Sequence, residues 1–78
     1  MAKVDLVSLA LTRAEALVLF EWLTRLDSAE SLPCEDHAEQ LVLWSLEGQL
    51  EKILTEPLAA DYKDLLAEAR QMVRSTGA

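Results

Sequence analysis

One short segment brings together side chains that could do chemistry: a thiol, two carboxylates and the only histidine, in Cys34-Glu35-Asp36-His37. A catalytic cysteine needs a lowered thiol pKa, and neighbouring carboxylates act in the opposite direction. A metal site would need further ligands at defined positions, and the chain has no second cysteine or histidine. We therefore predict no catalytic, metal-binding or cofactor-binding residues. A small metal-dependent or thiol enzyme centred on Cys34 to His37 remains the alternative.

The same segment has a structural interpretation, because its acids suit the start of a helix. Asp36 can cap the first turn, and Glu35 and Glu39 lie near the positive end of the helix dipole. Asp36-His37-Ala38-Glu39 also has the spacing of a capping box. Cys34 is then a small packed residue.

Capping and stop signals divide the chain into three helices. Thr12-Arg13-Ala14-Glu15 is a capping box, and it predicts a first helix over about 12–27. The second should cover about 37–55 and end at Glu56-Pro57, and the third should cover about 58–74. The composition is 51% hydrophobic and rich in Leu and Ala. It therefore predicts an all-α, three-helix bundle.

Residues 1–11 precede the first capping box and alternate only loosely between apolar and polar types. This N-terminal segment is either an extended arm or a short strand, and a strand would have no second strand to pair with in this chain. At 78 residues the sequence predicts one domain, covering 1–78, near the size at which a core needs support from a partner.

The apolar positions predict which helical faces form the core. Helix 1 is apolar over most of its circumference, with a clear water face only at Glu21 and Arg25, so it should be central. Its main arc contains Ala16, Leu19, Phe20, Trp22, Leu23 and Leu26. The main stripe of helix 2 contains Val42, Leu43, Leu46, Leu50, Ile53 and Leu54. On helix 3 the stripe contains Leu58, Tyr62, Leu65, Leu66, Ala69, Met72 and Val73.

Helix 2 has a second apolar face, formed by Leu41, Trp44 and Gly48. A glycine inside a helix costs about 1 kcal/mol relative to alanine, so Gly48 could serve the close approach of another surface beside Trp44. An indole next to a small residue is typical of an interface anchor. The alternative is that Leu41 and Trp44 pack under the N-terminal arm or the loop 28–33 of the same chain.

The formal net charge of -7 lies entirely in the middle third of the chain. No Lys or Arg occurs between Leu26 and Glu51, and the flanking thirds are neutral. This acidity argues against a nucleic-acid partner. Capping does not explain Asp27, Glu30, Glu47 or Glu51, which could steer a basic protein partner or form a merely solvated face. The predicted partner-binding residues are Leu41, Trp44, Gly48, Glu47 and Glu51.

The sequence also bears on location. A single cysteine cannot form an internal disulfide, and the first residues lack the apolar core of a signal peptide. Acids and arginines interrupt every apolar run before it reaches the length of a membrane span. We expect a cytoplasmic protein without membrane contact.

Three stretches carry a resemblance: residues 11–23 (LTRAEALVLFEWL), residues 35–44 (EDHAEQLVLW), and Glu56-Pro57 with Asp61-Tyr62. Over about Leu11 to Arg74 the chain resembles a group of small, acidic, uncharacterised bacterial proteins. The resemblance implies a bacterial cytosolic origin and transfers no catalytic residue.

These observations predict a non-enzymatic protein-interaction module. It should be homodimeric, and it could inhibit or regulate a basic protein partner. A structural subunit of a larger assembly is the remaining alternative.

Overall fold

The computed structural model describes residues 5–28 and 34–76. Its helices are α1 (Arg13–Asp27), α2 (His37–Ile53) and α3 (Tyr62–Thr76), with a 3₁₀ turn (Glu56–Leu58) between α2 and α3. The predicted all-α, three-helix architecture is confirmed. Most of the loop predicted over 28–33, namely residues 29–33, lies outside the described residues.

The capping box predicted for α1 is present. The Glu15 amide donates to the Thr12 hydroxyl at 3.1 Å, and the Thr12 amide donates to the Glu15 carboxylate at 2.8 Å. Two amides that have no partner within the helix are satisfied in this way. Local sequence therefore determines the first residue of α1.

The start of α2 follows the prediction only in part. The Ala38 amide donates to Asp36 Oδ1 at 2.7 Å, so Asp36 is the N-cap. Glu39, however, accepts from the amide of Glu35 at 2.9 Å and not from that of Asp36. Glu39 thus accepts from the amide of the residue before the N-cap. The second hydrogen bond of a capping box, from the Asp36 amide to Glu39, is therefore not formed.

The connection between α2 and α3 differs from the prediction. We expected the third helix to begin near residue 58, but α3 begins at Tyr62. Pro57 lies in the 3₁₀ turn, and Ala59 then takes an extended backbone, with φ -78° and ψ 147°, that no α-helix can contain. Helical bonding resumes only where the Asp61 carbonyl accepts from Asp64 and Leu65.

The described part of the N-terminal segment, residues 5–11, is neither helix nor strand. Of the two alternatives left open by the sequence, an arm is therefore what the structure shows. Three of its side chains are almost fully exposed: Leu6 at 88%, Val7 at 89% and Leu9 at 84%. Leu11, next to the cap of α1, is 45% exposed.

The core is small, and α1 is at its centre as predicted. Both α2 and α3 pack on α1, whereas α2 and α3 make little contact with each other. In the described part of the chain the buried apolar residues are Leu17 and Leu23 of α1, Leu50 of α2, Leu54 at the C-cap of α2, and Leu66 and Ala69 of α3.

Several side chains predicted to lie in the core are exposed. Trp22 is 47% exposed, and Val42 and Ile53 are both 65% exposed. Leu58 and Met72 are also exposed, the first because it belongs to the 3₁₀ turn and not to α3. Helical periodicity identified the apolar faces correctly, but three helices of this length do not cover all of them.

Glu21, predicted to mark a water face, is instead half-buried against α3. Its carboxylate accepts a hydrogen bond from the Tyr62 hydroxyl at 2.8 Å. Burial, with this hydrogen bond, raises the pKa of Tyr62 to about 12. Tyr62, a residue for which sequence patterns indicate no role beyond the core, therefore joins the first turn of α3 to α1.

Leu23 offers a direct test of this core, because it is 2% exposed. We expect Leu23→Ala to destabilise the protein by about 2–5 kcal/mol through lost burial and a residual cavity. The matched control is Leu58→Ala, since Leu58 is 91% exposed, and it should change stability by less than about 0.5 kcal/mol. Urea unfolding followed by circular dichroism measures both, and equal losses would contradict the assigned core.

Candidate interaction surfaces

The predicted partner-binding residues lie together on one side of α2, and we call this set the Trp44 surface: Leu41, Trp44, Glu47, Gly48 and Glu51. Leu41 is 50% exposed and Trp44 is 45% exposed. The indole N–H of Trp44 donates to Asp27 Oδ1 at 2.7 Å. Asp27, which capping could not explain, thus orients Trp44 from the end of α1.

The space beneath Trp44 is too small for a ligand. A crevice of about 10 Å³ lies between the indole and α1, lined in part by Leu23, Asp27 and Gln40. One ordered water needs about 10–15 Å³. Trp44 therefore packs partly against its own chain, and the 45% of its surface that is exposed is what a partner could contact.

Gly48 has open space around it. A Cβ built on this residue would meet no atom within 4 Å. Packing among the described residues therefore gives no reason for a glycine at this position. The prediction that it serves a close approach by another molecule stays a prediction.

The acids of the Trp44 surface interact with one another and with α1. Partial burial and the nearby charge of Asp27 raise the pKa of Glu47, and Glu51 adds to this effect. The Thr24 hydroxyl lies 3.5 Å from the Glu47 carboxylate and opposes it. Asp27, Glu47 and Glu51 thus form one negative cluster beside Trp44. Glu30, the fourth unexplained acid, lies outside the described residues.

The Cys34 to His37 segment is divided between two environments. Cys34 is half-buried, and His37 is exposed in the first turn of α2. Within residues 5–28 and 34–76, no group of three His, Cys, Asp or Glu side chains could hold a metal ion. The Cys34 thiol instead borders a mainly apolar groove.

This groove, which the sequence did not predict, lies between α1 and α2, and we call it the α1–α2 groove. Its volume is about 470 Å³, and it is open to solvent. Helix α1 contributes Trp22 and Leu26 to it. The other lining residues are Cys34 and, from α2, Ala38, Glu39, Val42 and Leu43. All of these side chains except that of Glu39 are apolar or a thiol, so the groove is suited to apolar groups.

The groove could not be predicted from helical periodicity, because that pattern assigns Trp22 and Val42 to the core. The sequence feature that indicates the α1–α2 groove is the width of the apolar arc on α1. An arc that exceeds what two helices can cover leaves a strip for a third neighbour.

A second hollow, of about 200 Å³, lies between α1 and α3. At its edge the Arg13 guanidinium donates to both carboxylate oxygens of Glu56, at 2.9 Å for Nη2 to Oε1. This pair lowers the pKa of Glu56 and raises that of Arg13. The hollow is below the size of ordinary small-molecule sites, about 300–1,000 Å³. The role of Arg13 is therefore structural, because its ion pair with Glu56 holds the 3₁₀ turn against α1.

Comparison with family models, with curated proteins and with solved structures gives no match in any of the three. The resemblance to small bacterial proteins stays an expectation. Within the described part of the chain, none of the helices has both the length and the apolar character needed to cross a membrane.

Glu47 and Glu56 should affect stability with opposite dependence on pH. A raised folded-state pKa, as for Glu47, stabilises the fold at low pH, and this contribution is lost as pH rises through that pKa. A lowered one, as for Glu56, stabilises the fold above the ordinary glutamate pKa, and this contribution is lost as pH falls.

We therefore expect Glu47→Gln to raise the unfolding temperature at neutral pH and Glu56→Gln to lower it, each by up to about a few degrees. Both differences from the unmodified protein should shrink as pH falls from neutral towards about pH 3, and the Glu56→Gln difference should persist to lower pH because the pKa of Glu56 is lowered. Thermal unfolding across this range measures them, and each variant is the control for the other. A shift of the same sign in both would refute the assignment.

Proposed function

We propose that this chain is a non-enzymatic protein-interaction module and that it works as a homodimer. The observation that carries the proposal is the imbalance between its buried and exposed apolar side chains. The buried set contains five leucines and one alanine. The exposed large apolar side chains in the described ranges are Leu6, Val7, Leu9, Leu11, Trp22, Leu41, Val42, Trp44, Ile53, Leu58 and Met72.

This imbalance matters because of the chain length. Below about 70–80 residues a single core supplies little net stability, and such domains rely on disulfides, metals or association. The lone cysteine allows no internal disulfide. Each large apolar side chain transferred from water to an interface contributes about 1.5–3 kcal/mol. Covering even part of the exposed set would add substantially to a core this small.

The charge distribution is compatible with self-association through the neutral parts of the chain. The acids are concentrated from Asp27 to Glu51, whereas Met1 to Arg25 has as many bases as acids. A symmetric contact through the arm and α1 would therefore avoid bringing the acidic cluster of each copy against the other. Like charges placed together would cost several kcal/mol.

Sedimentation equilibrium tests the homodimer. We expect a dimer with a dissociation constant in the micromolar range or below, because this is the affinity typical of small, largely apolar interfaces. The unfolding temperature should rise with protein concentration, since association stabilises the folded state by mass action. Added salt should preserve or strengthen the dimer by screening the net charge of -7. A monomer at high micromolar concentration would overturn the proposal.

A basic protein partner is a second candidate function, and the Trp44 surface favours it. Asp27, Glu47 and Glu51 place like charge beside a half-exposed indole and the apolar side chain of Leu41. An aromatic anchor with charges of one sign around it is suited to a segment with both basic and apolar side chains. The charges would mainly speed association, and Trp44 would supply contact area.

Charge reversal tests this second candidate with a synthetic amphipathic peptide of Lys and Leu as the probe. We expect Glu47→Lys with Glu51→Lys to slow association by about tenfold at low salt and to flatten its salt dependence. Stopped-flow tryptophan fluorescence measures the rate.

Asp64→Lys with Glu68→Lys is the matched control. It makes the same change in net charge at the same spacing, on exposed positions of α3. This control should leave most of the rate intact. Equal slowing by both double variants would show that net charge alone is responsible and that the Trp44 surface has no special role.

A further inference from the structure

We propose that the α1–α2 groove binds the N-terminal arm of a second copy, so that two chains exchange arms symmetrically. The inference rests on the proposed homodimer and specifies its interface. Two complementary features occur in one chain, and within residues 5–28 and 34–76 neither is covered by the rest of the chain. The groove is apolar and open, and the arm carries apolar side chains that are almost fully exposed.

The spacing of the arm side chains fits the groove. In an extended chain, Val7 and Leu9 point to the same side and lie about 7 Å apart. Trp22 and Leu26, which line one side of the groove, are four residues apart on α1, or about 6 Å along its axis. Two neighbouring arm side chains can therefore lie against these two residues. Leu6, Ser8 and Ala10 would then face away from the groove.

The arm and the α1–α2 groove are also compatible in charge. Among residues 5–11 only Asp5 is charged. In an extended chain it is on the same side as Val7 and Leu9 but about 7 Å before Val7, so it would lie at the edge of the contact with Trp22 and Leu26. Among the residues that the structure describes, Glu39 is the one charged residue that lines the groove, and its carboxylate already accepts a hydrogen bond from the Glu35 amide. Docking therefore buries no uncompensated charge at the centre of the contact.

The arm of the same chain is poorly placed to fill the groove. The capping box fixes Thr12 with an extended backbone, φ -68° and ψ 160°, at the start of α1, whereas Trp22 and Leu26 of the groove lie in the second half of that helix. To reach Trp22 the arm would have to reverse direction and then follow α1 for about 14 Å. Asp5 to Leu11 contains no Gly, Pro or Asn, the residues that favour such a reversal. Val7 and Leu9 accordingly make little contact with their own chain.

The area involved is sufficient for a stable dimer. An extended seven-residue segment exposes about 1,100 Å², and laying one side of it on a surface removes roughly half of that from water. Two exchanged arms would thus remove about 1,100 Å² of arm surface from water, and the area covered on the two grooves brings the total into the standard interface range of about 1,200–2,000 Å². Mutual exchange also closes the assembly at two chains, because each copy has one arm and one groove.

The cysteine in the groove provides the test. One chain carries Leu9→Cys with Cys34→Ser, and a second chain of different length, extended by a tag, keeps only its native Cys34. After mixing and mild oxidation, we expect a disulfide between the two chains on a non-reducing gel, at least about tenfold above the control. The control chain carries Gln71→Cys with Cys34→Ser, because Gln71 is exposed on α3.

Two outcomes of the crosslinking would overturn the exchange. The first is equal reaction of the Gln71→Cys control chain, which would show that the disulfide reports only random collision. The second concerns a chain that carries Leu9→Cys and retains its native Cys34. If this chain forms its disulfide internally and not with a second copy, the arm fills its own groove.

Disruption of either feature gives an independent readout. We expect Val7→Asp or Val42→Asp to raise the dimer dissociation constant by at least about tenfold, because each places a charge in an apolar contact. Leu58→Asp should have little effect, since Leu58 is exposed and does not line the groove. Circular dichroism should show the same helical content for all three. A dimer that survives both variants would overturn the arm exchange and leave the proposed function standing, whereas a monomeric unmodified protein would overturn both.

Discussion

Helix α1 is the element on which the rest of this structure depends, because it must supply packing surface to both other helices. Leu17 and Leu23 are the buried leucines of α1, and the buried residues at the C-terminal end of α2 and in the interior of α3 belong to the same core cluster. Since α2 and α3 make little contact with each other, each has only one packed side. The apolar residues of α1 and α2 that face away from α3 are left at the surface. The α1–α2 groove is thus a direct consequence of arranging three helices around one.

Polar contacts fix how the outer elements sit on α1. Arg13 holds the 3₁₀ turn through Glu56, Glu21 accepts from Tyr62 of α3, and Asp27 accepts from Trp44 of α2. These three residues of α1 are spread from its first turn to its last. Each contact is modest in energy where it is exposed to solvent. Their main effect is therefore to set orientation, which a core of leucines alone specifies poorly.

Features that depend on neighbouring residues could be predicted from the sequence, and those that depend on distant residues could not. The Thr12 to Glu15 box set the start of α1 because all of its partners lie within four residues. The predicted start of α3 was wrong because Pro57 is compatible with a helical first turn, and the extended backbone of Ala59 has no local signature. Trp22, Val42 and Ile53 were placed in the core because periodicity shows that a face is apolar and does not show whether anything covers it. Periodicity also explains why the exposure of the Trp44 surface could be predicted and that of the groove could not. Leu41 and Trp44 lie off the main stripe of α2, whereas the groove is formed by the stripe itself.

The division of charge along the chain allows the two candidate surfaces to coexist. Of the described residues that line the groove, Glu39 alone is charged, while the negative cluster of Asp27, Glu47 and Glu51 lies beside Trp44. Self-association through the neutral arm would leave that cluster facing solvent, where its repulsion is screened. A dimer formed in this way would present two acidic surfaces of the same kind, one on each copy. Binding of two linked basic segments would then gain from effective concentration as well as from charge, so a homodimer and a basic partner are compatible functions of one chain.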